Sequence, residues 1–244
     1  MRGLLAAIAF LTRVPLGRAI AFDAADVTRS AAWFPVVGLL LGAIYAGVAA
    51  LCRGHLPAAV IGVLLIVTEA LVTGAMHFDG LADAADGFGG GRMRDDILRI
   101  MRDHAIGSYG GTALAACVAL KVTAYAALVA RGDWLPPLIL APALGRWSIL
   151  LLTAALPYAR TTKSVVEGMD RRSLAWGTPP ILIALAAARS LQAWIALAAA
   201  LAVSVLFGLY CRRRIGGITG DTLGANVELC EGAALLAFLW SRAG

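Results

Sequence analysis

Seven apolar segments constrain this chain more than any other feature of its sequence. They lie near residues 31–51, 58–76, 111–130, 134–156, 178–189, 191–210 and 225–241. A helical run of about 20 apolar residues matches the ~30 Å hydrocarbon thickness of a bilayer. Backbone groups in lipid must be paired within their own segment, and the sequence lacks the alternation of a membrane barrel. We therefore predict an all-α, polytopic integral membrane helical bundle with about seven transmembrane helices.

The composition supports a single membrane domain over residues 1–244. Hydrophobic residues make up 60% of the chain and charged residues only 15%, against about a quarter charged in soluble domains. The mean hydropathy of +0.81 points the same way. Segment 178–189 is short and begins with two prolines, so it is either a full span or half of a re-entrant pair. The four cysteines are scattered, which predicts free thiols.

Lysine and arginine alternate between the connecting segments and so predict the orientation. The N-terminal segment and the loops 77–110, 157–177 and 211–224 carry fifteen of them, whereas the other connections carry only Arg53, Arg131, Arg189 and Arg242. The positive-inside rule then places the N-terminus and the three long loops in the cytoplasm. The net charge of +6 is explained without nucleic acid as a partner. The N-terminal apolar stretch is interpreted as an interfacial helix rather than a cleaved signal peptide.

The richest polar stretch is HFDGLADAADGFGGG, residues 77–91. Asp79, Asp83 and Asp86 follow at i, i+4 and i+7, so on a helix they share one face. Like charges at this spacing repel, and a bound cation would relieve the repulsion. Oxygen-only ligands favour Mg²⁺, with Mn²⁺ as a substitute. The alternative is a solvated acidic helix end. His77 is a candidate general base, with a structural hydrogen bond as the equal alternative.

Two further motifs place polar residues on the predicted cytoplasmic side. ILRIMRDHAIGSYGG, residues 97–111, adds Asp103 as a fourth candidate metal ligand, between Arg102 and His104. GGITGDTLGANVELCE, residues 216–231, begins a helix whose free N–H groups would point to the cytoplasm. We expect its turn at residues 220–222 to lie against the aspartate helix. Asn226 and Glu228 follow inside the last span, where Glu228 is not explained by a cap.

These motifs occur in one order, together with FLTRVP near the start and FPVVGLLLG at the first span. The ordered set resembles the cobalamin synthase family, the adenosylcobinamide-GDP ribazoletransferases. The resemblance covers the chain ends and the central loop, whereas residues 121–210 match mainly in hydropathy. Candidate catalytic residues within it are Asp79, Asp83, Asp86, Asp103 and His77; candidate substrate-binding residues are Arg13, Arg102, Gly107, Gly110, Gly220, Asp221, Thr222, Asn226 and Glu228.

The resemblance implies the last assembly step of the cobalamin nucleotide loop. Adenosylcobinamide-GDP and α-ribazole, or α-ribazole 5′-phosphate, would give adenosylcobalamin or its 5′-phosphate and GMP. Magnesium is the implied cofactor, and a bacterial inner membrane the implied location. The resemblance leaves room for a homo-oligomer or a complex with other cobalamin-assembly enzymes.

Two other functions fit parts of the sequence. A CDP-alcohol phosphotransferase also carries cytoplasmic aspartates at helical spacing, but its D-G-x-x-A-R pattern fails here, because Asp79-Gly80 is followed by Leu81, Ala82, Asp83 and Ala84. A divalent-cation transporter would need acids near the bilayer midplane and two similar halves. Glu69 and Glu228 are the only acids assigned to that depth, and no internal repeat is visible. Glu69, Lys121 and Arg146 inside the predicted spans suit a functional or a structural role equally.

Overall fold

The computed structural model describes residues 2–16, 22–103, 105–161 and 168–240, and this part of the chain is almost entirely helical. Tyr158 and Ile218 form one isolated parallel bridge, and the described residues contain no β-strand. A short 3₁₀ turn, Ala31–Trp33, leads into the first long helix. The helices are α1 Arg2–Leu11, α2 Ala24–Ser30, α3 Phe34–Cys52, α4 Ala58–Thr73, α5 Met76–Gly90, α6 Arg94–Ile100, α7 Ser108–Arg131, α8 Leu135–Ala155, α9 Arg171–Ala188, α10 Leu191–Ile215 and α11 Gly220–Leu239.

The all-α membrane architecture predicted from the sequence is confirmed. Among the described residues, five helical stretches are long and apolar enough to cross a bilayer, or six if α4 and α5 count as one broken span. The predicted number of seven therefore stays a prediction, as does the side of the N-terminus. The short segment 178–189 lies within α9, an 18-residue helix that begins with two arginines.

The break between α4 and α5 determines where the aspartate motif lies. Gly74 and Ala75 both have positive φ, at 67° and 59°, and the helix axes on either side of them differ by 93°. A non-glycine residue in this conformation is uncommon. The bend turns α5 away from the direction of α4 and packs it against α7 and α11.

Helices α8 and α11 form the centre of the bundle. In each of them, 72% of the apolar 18-residue stretch that could cross the membrane is buried. Glycines allow close approach: a Cβ on Gly38 or Gly42 of α3 would lie 2.5–2.6 Å from backbone atoms of α8. In lipid, small residues at such crossings let dispersion contacts replace the missing hydrophobic driving force. Exposed tryptophans lie near helix ends, as is typical of membrane interfaces; they are Trp33, Trp176, Trp194 and Trp240.

The loops between helices lie in two groups, one at each end of the bundle, as the alternation of basic residues predicted. At one end, the Arg53 guanidinium lies 5.1 Å from the Trp134 ring centroid, and Arg131 donates to the Leu239 carbonyl. At the other end, Arg94 donates to the carbonyls of Ile215 and Ala159. The loops after α5, α8 and α10 therefore meet at one face, here called the loop face.

Candidate functional site

The aspartate helix crosses the start of α11 at a contact between two glycines. A Cβ on Gly80 would lie 2.8 Å from the Asp221 carbonyl oxygen and 3.1 Å from the Gly224 Cα. Any side chain at Gly80 would therefore separate the two helices. This contact places the first turn of α11 against α5, as expected from the sequence.

Asp79 and Asp221 are the acidic groups that this crossing brings together. Asp79 directly precedes Gly80, and Gly80 packs against the Asp221 backbone at the crossing. The Oδ2 atom of Asp221 accepts a 2.7 Å hydrogen bond from Arg160 and a 3.2 Å hydrogen bond from Thr219, whereas Asp79 is exposed. Asp83 follows one turn later and is half-buried. The arrangement leaves acidic oxygens from two helices at the loop face, with one arginine beside them.

Asp86 has a different environment from the other two aspartates of α5. Its carboxylate is buried and accepts backbone hydrogen bonds from Gly107 at 2.7 Å and Gly110 at 2.8 Å. These N–H groups belong to the start of α7, where helical donors lack intrahelical partners. A methyl group at either glycine would overlap the carboxylate. Asp86 therefore caps α7, which explains both glycines; its predicted role as a metal ligand stays a prediction.

A basic pocket lies beside the carboxylates on the loop face. Its volume is about 300 Å³, and the charged side chains lining it are Arg94, Asp95, Arg99, Arg102 and Arg160. Four arginines against one aspartate make the lining of the pocket basic. Three of these arginines already pair with carboxylates: Arg94 with Asp95, Arg99 with Asp96 and Arg160 with Asp221. Arginine forks suit phosphate oxygens, and the ion pair between Arg160 and Asp221 joins this pocket to the aspartate pair.

Hydrogen bonds to carbonyl groups hold the loops around this pocket. Arg94 reaches two carbonyls, at Ile215 and Ala159. Arg214 donates to the Gly91 carbonyl at 2.9 Å and lies 5.8 Å from the Phe88 ring centroid. These arginines tie the loop after α5 to the end of α10. They therefore contribute to holding the loop face together, besides the charge they add.

A buried ion cluster lies deeper in the bundle. The Lys121 ammonium is within 2.7–2.8 Å of carboxylate oxygens of Glu69, Glu228 and Glu231. Arg146 pairs with Glu231 and lies 3.2 Å from His77 Nδ1. Among the described residues, these three glutamates are the group of acids whose ligand atoms converge within 4.8 Å. The lysine ammonium lies among them, so we interpret the cluster as an ion network and not as a metal centre.

The remaining predicted site residues lie in several places. Arg102 lines the basic pocket, and Asp103 is exposed, with its carboxylate accepting from the Ala105 N–H. His104 lies outside the described residues. Arg13 is exposed and packs over Gly74 at the α4–α5 bend. Gly220 is exposed at the first position of α11.

Three residues predicted to bind substrate lie inside the bundle instead. Thr222 is buried and forms a capping box with Thr219. Asn226 is fully buried and donates to the hydroxyls of Ser148 and Ser204. Glu228 belongs to the ion cluster. All three residues belong to the motif at residues 216–231, but in the structure each of them binds a partner within the protein.

The sequence motifs do not mark Arg94, Arg99 and Arg160 as site residues. They entered only as part of the positive charge of the cytoplasmic loops. Arg160 lies 61 residues before its partner Asp221, so no local spacing connects the two. The cluster of arginines between residues 92 and 102 was the one usable signal.

The acidic groups at the loop face have the donor chemistry of a hard divalent cation site, although in the described part of the chain their ligand atoms do not converge within 4.8 Å as those of the three glutamates do. Asp79, Asp83 and Asp221 offer oxygen donors, which Mg²⁺ prefers. The Asp86 carboxylate accepts two backbone N–H groups of α7, and the Asp103 carboxylate accepts the Ala105 N–H.

The profile of the cobalamin-5-phosphate synthase family matches residues 3–239. The chain belongs to this family. It is similar to proteins named adenosylcobinamide-GDP ribazoletransferase from Syntrophobacter fumaroxidans, with 36% identity over 92% of this chain and 93% of the relative, and Clostridium botulinum strain Kyoto, with 38% identity over 95% of each. The relative of that name from Chlorobium chlorochromatii is 39% identical over 94% of this chain and 92% of its own. No solved structure matches.

Family membership confirms the resemblance drawn from the motifs. The matched range covers the whole of the span region, including residues 121–210, where mainly hydropathy had supported the relationship. The motif-bearing segments of this family form the two helices that cross at Gly80 and the loop that carries the basic pocket.

Proposed function

We propose that this chain catalyses the final nucleotide-loop assembly of cobalamin. It transfers the corrinoid phosphate of adenosylcobinamide-GDP to α-ribazole, or to α-ribazole 5′-phosphate, and releases GMP. The observation that carries the proposal is the pairing of an acidic site with a basic pocket on one face, in a chain of this family. The product is adenosylcobalamin or its 5′-phosphate.

The chemistry requires charge neutralisation more than covalent help. A ribose hydroxyl attacks the phosphorus nearest the corrinoid, a new P–O bond forms, and the bond to the GMP phosphate oxygen breaks. The hydroxyl proton passes to a base, and the leaving phosphate carries the negative charge away. Mg²⁺ bound at this site would supply stabilisation of that phosphate charge.

The residues at the loop face divide this work. Asp79 and Asp83, with Asp221 across the helix crossing, would hold the metal. Arg99 and Arg102 would receive the phosphates of the GDP-activated corrinoid in the basic pocket. A loop-face carboxylate that does not hold the metal suits the role of proton acceptor better than His77, because His77 is only 4% exposed and faces Arg146.

The membrane location of this site follows from the spans. The chain is a multi-pass membrane protein by the length and apolarity of its helices. We place it in a bacterial inner membrane with the loop face towards the cytoplasm, where nucleotide-activated substrates are made. The concentration of basic residues on that face supports this orientation.

The test is a reconstituted reaction with detergent-purified protein. Adenosylcobinamide-GDP and α-ribazole 5′-phosphate are incubated with Mg²⁺ or with a chelator, and GMP and the corrinoid product are quantified. We expect equal amounts of both products, only with the divalent cation. A parallel reaction with a cytidine-linked alcohol donor should give no product. Turnover of the cytidine-linked donor in place of the guanosine-linked one would assign the site to the CDP-alcohol class, and absence of any GMP release would favour a transporter.

A further inference from the structure

A second cavity, separate from the loop-face site, lies between α8, α9 and α10. Its volume is about 530 Å³, larger than that of the basic pocket. Apolar side chains form its walls: Leu151, Leu152, Leu174, Leu201, Val205 and Leu209. Val205 and Leu209 are about half exposed, so the cavity opens to the surroundings of the spans and not to the bundle interior.

The path of the helices explains this groove. Helices α9 and α10 are joined by a tight turn at Arg189, where φ is +48°. Both pack against α8 but hardly against each other. The pair therefore diverges from the turn, and α8 forms the floor between them. From Leu201 to Arg212 the wall of α10 extends about 16 Å along its axis, comparable with much of one leaflet of hydrocarbon.

The open end of the groove carries two arginines. Arg171 is the first residue of α9, and Arg212 lies in the last turn of α10, so the two helices present them at the same end. Both are exposed, and within the described residues neither guanidinium has an ion-pair partner. The neighbouring Arg214 differs, because it binds the carbonyls of Phe88 and Gly91. The groove thus combines an apolar wall with two exposed cations at its open end.

We propose that this groove binds an anionic phospholipid of the bilayer. An acyl chain would lie along the leucine and valine side chains, and the phosphate would lie between Arg171 and Arg212. Basic pockets between spans at the positively charged side of membrane proteins are suited to anionic head groups. A zwitterionic lipid has the same chains but no net negative charge, so its head group would interact less favourably with the two arginines. The proposal is independent of the reaction at the loop face.

Native mass spectrometry of the purified protein in mild detergent tests the proposal. Phosphatidylglycerol or phosphatidylcholine is added at matched concentration, and the bound fraction is measured. The double variant Arg171→Gln/Arg212→Gln should lose phosphatidylglycerol affinity by roughly thirtyfold, since each basic residue near an anionic head group contributes a factor of about five. Phosphatidylcholine binding should not change.

Matched controls separate the groove from general surface charge. Arg172→Gln/Arg213→Gln removes the same charge from adjacent exposed positions that do not line the groove, and it should retain phosphatidylglycerol. Ala155→Leu narrows the groove without changing charge and should weaken phosphatidylglycerol several-fold. Equal losses in both arginine pairs, or full retention in the Arg171/Arg212 variant, would overturn the proposal. Displacement of the lipid by inorganic pyrophosphate would also overturn it and identify a soluble phosphate site instead.

Discussion

At the scale of single residues, three aspartates with the same sequence signal have different surroundings. Asp79 is exposed at the crossing with α11, Asp83 is half-buried one turn later, and Asp86 accepts two N–H groups of α7. Helical spacing places them on one side of α5, but the neighbouring helices give each of them a different environment. Substitution by asparagine should therefore separate their roles.

Asp83→Asn should lower turnover roughly a thousandfold, because losing one metal ligand removes several kcal/mol of transition-state stabilisation. Asparagine keeps the size and removes the charge, so membrane insertion and melting temperature should stay close to those of the parent. Turnover of purified protein over a Mg²⁺ titration measures the effect. Near-parental turnover at low Mg²⁺ would leave α5 as a solvated acidic helix.

Asp86→Asn is the matched comparison on the same helix. Its amide replaces one acceptor oxygen by a donor, which leaves one N–H of α7 unsatisfied at a cost of about 1–3 kcal/mol. We expect a lower melting temperature in detergent, with a Mg²⁺ dependence like that of the parent. An unchanged melting temperature with a shifted Mg²⁺ dependence would instead make Asp86 a metal ligand.

At the scale of the helices, the crossing of α5 and α11 brings the two halves of the site together. Gly80→Ala would force its Cβ to within 2.8 Å of the Asp221 carbonyl oxygen. The helices must then separate, and a shift of about 1 Å at a catalytic site can cost a hundredfold in rate. Turnover at saturating Mg²⁺ is the measurement. Gly47→Ala is the control, because a Cβ at Gly47 of α3 meets no atom within 4 Å; equal activity of the two variants would contradict the argument.

The buried ion cluster joins α4, α7 and α11 through one cation. Lys121→Met would leave three glutamates around an apolar side chain, with Arg146 as the remaining cation of the cluster. Removing one partner of a buried pair costs about 3–5 kcal/mol, so this variant should accumulate poorly or unfold at a much lower temperature. Thermal unfolding in detergent measures it.

Arg131→Met provides the control for the lysine substitution. Arg131 lies at the exposed end of the same helix and donates to the Leu239 carbonyl. Its loss should change the melting temperature little, since exposed polar contacts contribute little to stability. If Lys121→Met were as stable as Arg131→Met, the cluster would not hold the three helices together.

At the scale of the whole molecule, the structure has two distinct ends. The loop face carries the basic pocket and the aspartate pair, and the opposite end carries the contact between Arg53 and Trp134. This division follows the alternation of basic residues along the chain.

Cysteine labelling in intact cells tests the orientation. In a background lacking the four native cysteines, Gly90→Cys and Met93→Cys should resist an impermeant reagent, whereas His55→Cys and Asp133→Cys should react. All four positions are exposed. Gly216 is less suitable, because its φ of +80° favours glycine. Labelling of Gly90→Cys from outside the cell would show that the orientation is the reverse of the one proposed.

The sequence by itself determined the properties that depend on neighbouring residues. Apolar runs of span length predicted a helical membrane bundle, since a lipid environment requires paired backbone groups. Helical spacing predicted the aspartate face of α5, and the glycine-bounded turn at residues 220–222 predicted the start of α11. The ordered motifs also indicated the family that the profile match confirms.

Tertiary structure alone decided the partners that lie far apart in the chain. Asp86 caps a helix 21 residues away, Arg160 reaches Asp221 across 61 residues, and Lys121 binds Glu231 across 110. The bend at residues 74–75 directs α5 towards α7 and α11, and a positive φ at Ala75 has no sequence signal. Buried polar groups must find partners wherever packing places them. The packing of the helices therefore decided which motif residues cap a helix, which join the ion cluster and which lie at the loop face.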